Sequence, residues 1–276
     1  MTTIIIAMLT AIVGGAFASG AEALYSSIDQ YNANAYAFVT NVNSIAVKPI
    51  AATLLSAILL LELLRIVSRY EESQAATPAV VAFTFKAVVV ISIVQKSDLI
   101  LAAINDIGHT LISGVQEQSP AANIQELTPT VIEAVEDMSL TDQVAVMFIL
   151  FLPYMMSLLG HFALKIIVFL YFAEIYILSA AATLPLVFFG HVETKHIAIG
   201  FLKRYASAVM HGVTIVLVLA VYSFFQFDSL NLSASTGDTL LHDIVSNIGV
   251  ILFGPAFFLF ILFASSRLSK AFLGEG

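Results

Sequence analysis

Cysteine and tryptophan are both missing from this 276-residue chain. The first absence removes disulfides, zinc thiolates, iron–sulfur ligation and cysteine nucleophiles together. The second means that any aromatic belt at a membrane surface must be built from the nine tyrosines and some of the 21 phenylalanines. Charge is scarce as well: 11% of residues are Asp, Glu, Lys or Arg against 59% that are hydrophobic, proportions far from those of soluble domains. What charge there is leans acidic, and a net charge of −8 with no basic stripe argues against tight binding to a phosphate backbone. Catalytic signatures are missing too. There is no G-x-S-x-G elbow and no G-x-x-x-x-G-K-[ST] phosphate loop, and no Ser/His/Asp set follows from spacing. His191, Glu193 and His196 form an H-x-E-x-x-H string, but positions i and i+2 of a helix face different ways and no second pair of ligands completes a zinc site. The expectation is a protein that is not an enzyme and uses no cofactor and no metal.

What is present is hydrocarbon in long runs. Residues 143–189 are nearly continuous apolar sequence, interrupted only by the ionisable side chains His161, Lys165 and Glu174. A transmembrane helix needs roughly 20 mostly apolar residues to cross about 30 Å of hydrocarbon, so this run holds two crossings, or one crossing and a re-entrant or interfacial helix. The chain reads as all-α, a polytopic integral membrane protein.

Four stretches follow from the pattern. Residues 1–44 hold an apolar helix around 4–13 that lies on or dips into the membrane, with a cleaved signal as the alternative. The polar Asn- and Tyr-rich sequence of 25–44 suits a solvated loop or a short interfacial helix. Residues 45–95 hold two crossings, about 45–66 and 79–95. Residues 96–142 form an acidic region outside the membrane, in which 99–112 extends the second crossing, 113–128 is a break and 130–138 is a short amphipathic helix after Pro129. Residues 143–276 hold the long apolar run, a basic stretch at 190–204, a span at about 207–227, an acidic loop at 228–243 and a last span at about 244–264 leading into Arg267 and Lys270.

Basic residues collect on the cytoplasmic side of membrane proteins. Arg65 with Arg69, Lys195 with Lys203 and Arg204, and Arg267 with Lys270 therefore belong inside, and the two acidic regions belong outside. An odd number of crossings must then separate Asp142 from Lys195. The reading that fits is a crossing at 162–188 preceded by a re-entrant or interfacial helix at 144–160, broken near Pro153. The result is five crossings, with six as the alternative.

Within this frame Glu174 stands near the middle of its span, where a carboxylate costs at least about 2.5 kcal/mol unless it faces a cavity or a partner. Lys86, deep in the second crossing, is its natural counter-charge. The two are candidates for a polar pathway, or for a buried pair that locks two helices. Glu62, Arg65 and Arg69 share a helical face, as a docking face or as a solvated end in which Glu62 pairs with Arg65. Lys165 can snorkel to the surface. Pro185 releases its helix above a cytoplasmic elbow that runs from Gly190 through Lys203 and Arg204. Gly14, Gly15, Gly249 and Gly254 allow close helix approach, with flexibility of a helix near Pro255 as the alternative.

The run Phe169-Leu-Tyr-Phe-Ala-Glu-Ile-Tyr-Ile-Leu-Ser-Ala-Ala-Ala-Thr-Leu-Pro-Leu-Val-Phe-Phe-Gly190 is followed by Ile199-Gly-Phe-Leu-Lys-Arg204 and by a helix containing His211-Gly212. This succession resembles the core of the polytopic inner-membrane subunit of type IV secretion and conjugation systems, the TrbL family that includes the sixth VirB protein. An aromatic helix with an acidic residue runs into small residues, a Leu-Pro turn and Gly, then a basic loop and another span. The external loop here is shorter than in many members, and the stretch after the last span is short. The resemblance implies a channel or scaffold subunit in the inner (plasma) membrane, multimeric, in contact with the bilayer. Secretion ATPases and pilin or outer-conduit components are the implied partners, with transient contact to the nucleic acid or protein being moved. Pro185, Gly190, Lys203 and Arg204 become the candidates for docking a partner. A small-solute or ion transporter using Glu174 and Lys86 is the alternative, although the two halves of the chain show no matching hydropathy of the kind inverted repeats produce.

The native absence of cysteine makes the side assignment easy to test. Single cysteines at Ser139 and Ser235 should react with an impermeant thiol reagent from outside the cell, whereas one at Thr194 should react only after lysis. Labelling of position 194 from outside would remove the five-span arrangement.

Overall fold

The computed structural model describes residues 1–13, 22–69, 76–118, 129–229 and 237–272. Among the described residues there is no strand, and five helices are long and apolar enough to cross a membrane: Ala33–Arg69, Thr77–Gln95, Leu140–Ala181, Lys195–Ser223 and Ile248–Ser269. The all-α, multi-pass expectation holds. In chain order the helices are α1 (Thr2–Val13), α2 (Ile28–Tyr31), α3 (Ala33–Val42), α4 (Lys48–Arg69), α5 (Ala76–Gln95), α6 (Ser97–Gln118), α7 (Pro129–Glu136), α8 (Leu140–Ala181), α9 (Thr183–Leu186), α10 (Lys195–Ser229), α11 (Gly237–Ser246) and α12 (Ile248–Phe272). A π-helical turn at Asn43–Val47 joins α3 to α4, and a 3₁₀ turn at Val187–Gly190 follows α9.

The chain divides into two compact units, each assembled from separate stretches of sequence. The first comprises Met1–Ser26, His109–Leu170 and His211–Gly276. Its core is built from helical stripes. Ile5, Leu9 and Ile12 of α1 recur at helical spacing and meet Val131, Ala134 and Val135 of α7, while Glu133 and Glu136 on the other face of α7 remain exposed. Pro129 opens α7, where its missing amide is no loss. Val146 and Leu150 of α8, Leu240 and Ile244 of α11 and Ile251 of α12 complete the cluster. The N-terminal helix, the amphipathic helix of the acidic region and the helix before the last span thus share one core. Ser139 caps α8 by accepting the amide of Asp142 at 3.3 Å.

The structure departs from the sequence expectation along α8. The break expected near Pro153 is absent, and Leu140–Ala181 is one helix of 42 residues with the proline inside it. At about 1.5 Å per residue it is about 63 Å long, roughly twice the hydrocarbon thickness. A proline removes one intrahelical hydrogen bond, and packing on either side can hold the helix through it. The far end was also expected later. The helix stops at Ala181, four residues before Pro185, because the proline ring occupies the place from which an amide would bond the Ala181 carbonyl.

The second unit comprises Ser27–Gly108 and Tyr171–Met210. Residues 25–44, expected as a solvated loop or short interfacial helix, are largely helical and run into α4 through the π-helical turn. Asn32 caps α3 by accepting the amide of Ala35 at 3.0 Å. Helices α4 and α5 form an antiparallel hairpin whose core, Ala51, Leu55, Val90 and Val94, receives Leu186 and Val187 from the short α9 and the turn after it. Residues 99–112, expected to extend the second crossing, belong to a separate helix that restarts at Ser97 with Asp98 in its first turn. The last span likewise begins at Ile248, after α11, and not at 244. Gly14 and Gly15, residues 119–128 of the expected break and residues 230–236 of the expected loop lie outside the described residues, whereas 113–118 continues α6, 228–229 ends α10 and 237–243 belongs to α11, because apolar residues at helical spacing carry these helices past the expected bounds.

One glycine sits where no side chain fits. A Cβ on Gly108 of α6 would overlap Cγ1 of Val209 on α10, and a β-branched valine on a helix has few rotamers in which to yield. Gly108→Ala should therefore destabilise the protein by about 1–3 kcal/mol, the range for overpacking. Equilibrium unfolding in mixed detergent micelles measures it, with Gly200→Ala, where nothing lies within 4 Å, as the comparison that carries the helix-propensity gain of alanine without the clash.

Candidate functional site

Two polar systems lie in the second unit, a largely buried neutral one and a charged one that runs from buried Glu62 out to exposed Glu193 and Arg65. The neutral one gathers the ends of four helices. Asn43, in the π-helical turn, donates its side-chain amide to the Ser179 carbonyl at 2.8 Å and accepts the Thr183 hydroxyl at 2.6 Å. With its own proton given to Asn43, Thr183 can only accept from Ser97, 2.9 Å away. Tyr205 donates to Asn105 at 3.0 Å, so the Ser179 hydroxyl at 3.1 Å donates to Tyr205. Asn43, Ser97, Thr183 and Tyr205 are all buried, so this bonding answers the requirement that buried polar groups be paired.

The charged system centres on Glu62, on the inward face of α4 with its side chain only 8% exposed. Oε1 accepts Lys86 Nζ of α5 at 3.0 Å, and Oε2 accepts Nδ1 of His191, in the turn after Gly190. The other nitrogen of His191, Nε2, stands 3.8 Å from Oε2 of Glu193, whose Oε1 pairs with Arg65 Nη2 at 3.1 Å. The order Lys86, Glu62, His191, Glu193, Arg65 alternates in sign and passes from α5 through α4 to the turn and back to α4. A buried carboxylate in an apolar hairpin is held only where such partners reach it. Gly190 brings the turn close enough, since a Cβ there would lie 3.0 Å from Ile58.

Each candidate residue from the sequence can now be placed. Lys86 and Glu174 are not partners: Lys86 bonds Glu62, and Glu174 lies 3.9 Å from Arg204 on α10 with both side chains well exposed. The expected pairing of Glu62 with Arg65 is replaced by Glu62 with Lys86 and His191, and Arg65 with Glu193. A carboxylate on the inner face of a helical hairpin reaches the facing helix more directly than it reaches a residue three positions along its own helix. Lys203 is exposed on the third turn of α10, and Pro185 lies within α9. Among the described residues no group of three His, Asp or Glu side chains is arranged to hold a metal, and His196 instead bonds the Glu193 carbonyl at 2.9 Å. The central role of Glu62 was missed from sequence, although one signal was there. Glu62 and Lys86 both stand within about three turns of the connection between α4 and α5, so an antiparallel hairpin brings them to neighbouring levels.

Five apolar helices and a charge cluster internal to a helical hairpin define a multi-pass membrane protein. The family model described as TrbL/VirB6 plasmid conjugal transfer like protein matches residues 16–183, more than half of the chain, and the chain belongs to that family. The match takes in the whole α4–α5 hairpin and Glu174, and ends before Pro185, Gly190, Lys203 and Arg204. No curated protein and no solved structure matches.

Removing one member of a buried ion pair costs about 3–5 kcal/mol, and the partial exposure of Lys86 and His191 favours the lower end of that range here. Glu62→Gln should therefore destabilise the protein by roughly 3 kcal/mol and Lys86→Met by less, because His191 stays on the carboxylate. The double variant should fall short of the sum of the two. Unfolding in mixed micelles of the four proteins of this cycle measures the coupling, and strict additivity would show that the contact contributes nothing.

Proposed function

We propose that this chain is a channel or scaffold subunit of a type IV secretion machine, set in the inner (plasma) membrane and working as a homo-oligomer beside secretion ATPases and pilin or outer-conduit components. The observation that carries the proposal is the family match over residues 16–183 on a chain with five membrane-length apolar helices. The chain moves cargo without chemistry of its own and touches the translocated DNA or protein only transiently, in keeping with its net charge of −8. Glu174, Arg204 and Lys203 supply exposed charge beside apolar membrane helices, where lipid is a poor neighbour, so we assign them to contacts with other subunits or to a wetted path. Lys86 serves the hairpin. The transporter alternative relied on Lys86 and Glu174 acting together, and their separate partners remove that support.

Deletion of the gene should abolish transfer between cells while leaving DNA nicking and partner ATP hydrolysis intact. Lys203→Gln with Arg204→Gln should lower transfer more than membrane insertion, as mating assays and membrane-fraction blots compare. Normal transfer in a clean deletion strain, or solute uptake by the protein alone in liposomes, would overturn the proposal.

A further inference from the structure

The turn after Gly190 is closed on itself. Thr194 donates its hydroxyl to the Phe188 carbonyl at 3.2 Å, and the Lys195 amide bonds the His191 carbonyl at 3.1 Å. It meets the α4–α5 hairpin in two ways, through the apolar burial of Leu186 and Val187 and through the side chains of His191 and Glu193. The second attachment depends on protons. A neutral imidazole carries one N–H and one lone pair, whereas imidazolium carries two N–H donors. His191 faces a carboxylate at each nitrogen, Glu62 at Nδ1 and Glu193 at Nε2. Only the protonated ring serves both. Once neutral, it donates to Glu62 and turns a lone pair on Glu193, or the reverse.

We propose that His191, with Glu62 and Glu193, is a proton-binding site that fastens the Gly190–Thr194 turn to the α4–α5 hairpin and releases it when the proton leaves. The charged groups facing it are Glu62 and Arg65 from α4, Lys86 from α5 and Glu193 from its own turn. Lys86 occupies Oε1 of Glu62 and leaves Oε2 to the imidazole. Arg65 holds Glu193 through its other oxygen, Oε1. Each carboxylate thus has a cation on its other oxygen, and the imidazole is the one side-chain type among these five whose ordinary charge change falls near neutral pH. With His191 protonated, three cations face two anions in alternating order. After its loss the attraction between the turn and the hairpin falls by one full charge at the centre of the chain. The sign follows: the turn is held at low pH and loosens as pH rises. The proposal rests on this geometry alone and holds whether or not the chain serves in secretion.

Val187, completely buried against the hairpin in the 3₁₀ turn that leads into Gly190, and Val192, exposed within the Gly190–Thr194 turn, give the probes. In the full chain, purified in detergent and free of native cysteine, Val187→Cys and Val192→Cys are labelled separately with N-ethylmaleimide, and the ratio of their rates removes the pH dependence of the thiolate itself. Imidazole chemistry sets the range, and the ratio should rise about fivefold or more between about pH 6 and about pH 8.5. His191→Gln should give a high ratio at both values, and His191→Arg, a permanent cation, a low one at both. A ratio independent of pH in the parent chain overturns the proposal. So does a pH-dependent ratio that survives in His191→Gln, or in His191→Arg if the Gln variant does not fold.

Discussion

A carboxylate in the middle of an apolar hairpin has to be answered, and much of the second unit is arranged around the answer to Glu62. Lys86 alone would leave one oxygen of the carboxylate unsatisfied. The second partner, His191, comes from more than a hundred residues further along the chain. The turn that carries it is pressed against α4, an approach that Gly190 eases, since a Cβ there would already crowd Ile58, and that buried Leu186 and Val187 hold. The electrostatic demand and the packing therefore point the same way, and the local sequence Leu-Val-Phe-Phe-Gly-His satisfies both.

The neutral network does related work where α4 begins. Asn43 can meet Ser179 and Thr183 because a π-helical turn, with its extra residue per hydrogen bond, occurs where α3 becomes α4. Lys48 with Asp98, 3.4 Å apart and partly exposed, adds little beside it. Hydroxyls and amides are suited to this position, since they tie helices together without the desolvation cost of a charge. The second unit is thus fastened by uncharged groups near the start of α4 and by charged ones further along it, and only the charged set can respond to pH.

For a transfer-machine subunit this division has a mechanical sense. The family match covers the hairpin and all of α8, and the basic elbow proposed for partner docking lies just beyond it. The elbow is joined to the matched hairpin by two ionic contacts, His191 with Glu62 and Glu193 with Arg65.

Much about this protein was legible in the order of its residues. Long apolar runs need lipid or burial, so the helical class, the multi-pass character and about five crossings followed from hydropathy, and the family from an aromatic, small-residue, Leu-Pro and Gly succession. The amphipathic helix after Pro129 was visible because periodicity and a proline start are local properties. Partnership was not. Lys86 was assigned to Glu174 and Glu62 to Arg65, because sequence reports which charges exist and how deep they sit, but not which helix faces meet. Pro153 was read as a break for the same reason: a proline weakens a helix locally, and packing elsewhere decides whether the helix continues. The turn that brings His191 back to α4 was decided by tertiary structure, since contacts that span such a length of chain depend on how the intervening helices pack, and no periodicity records that.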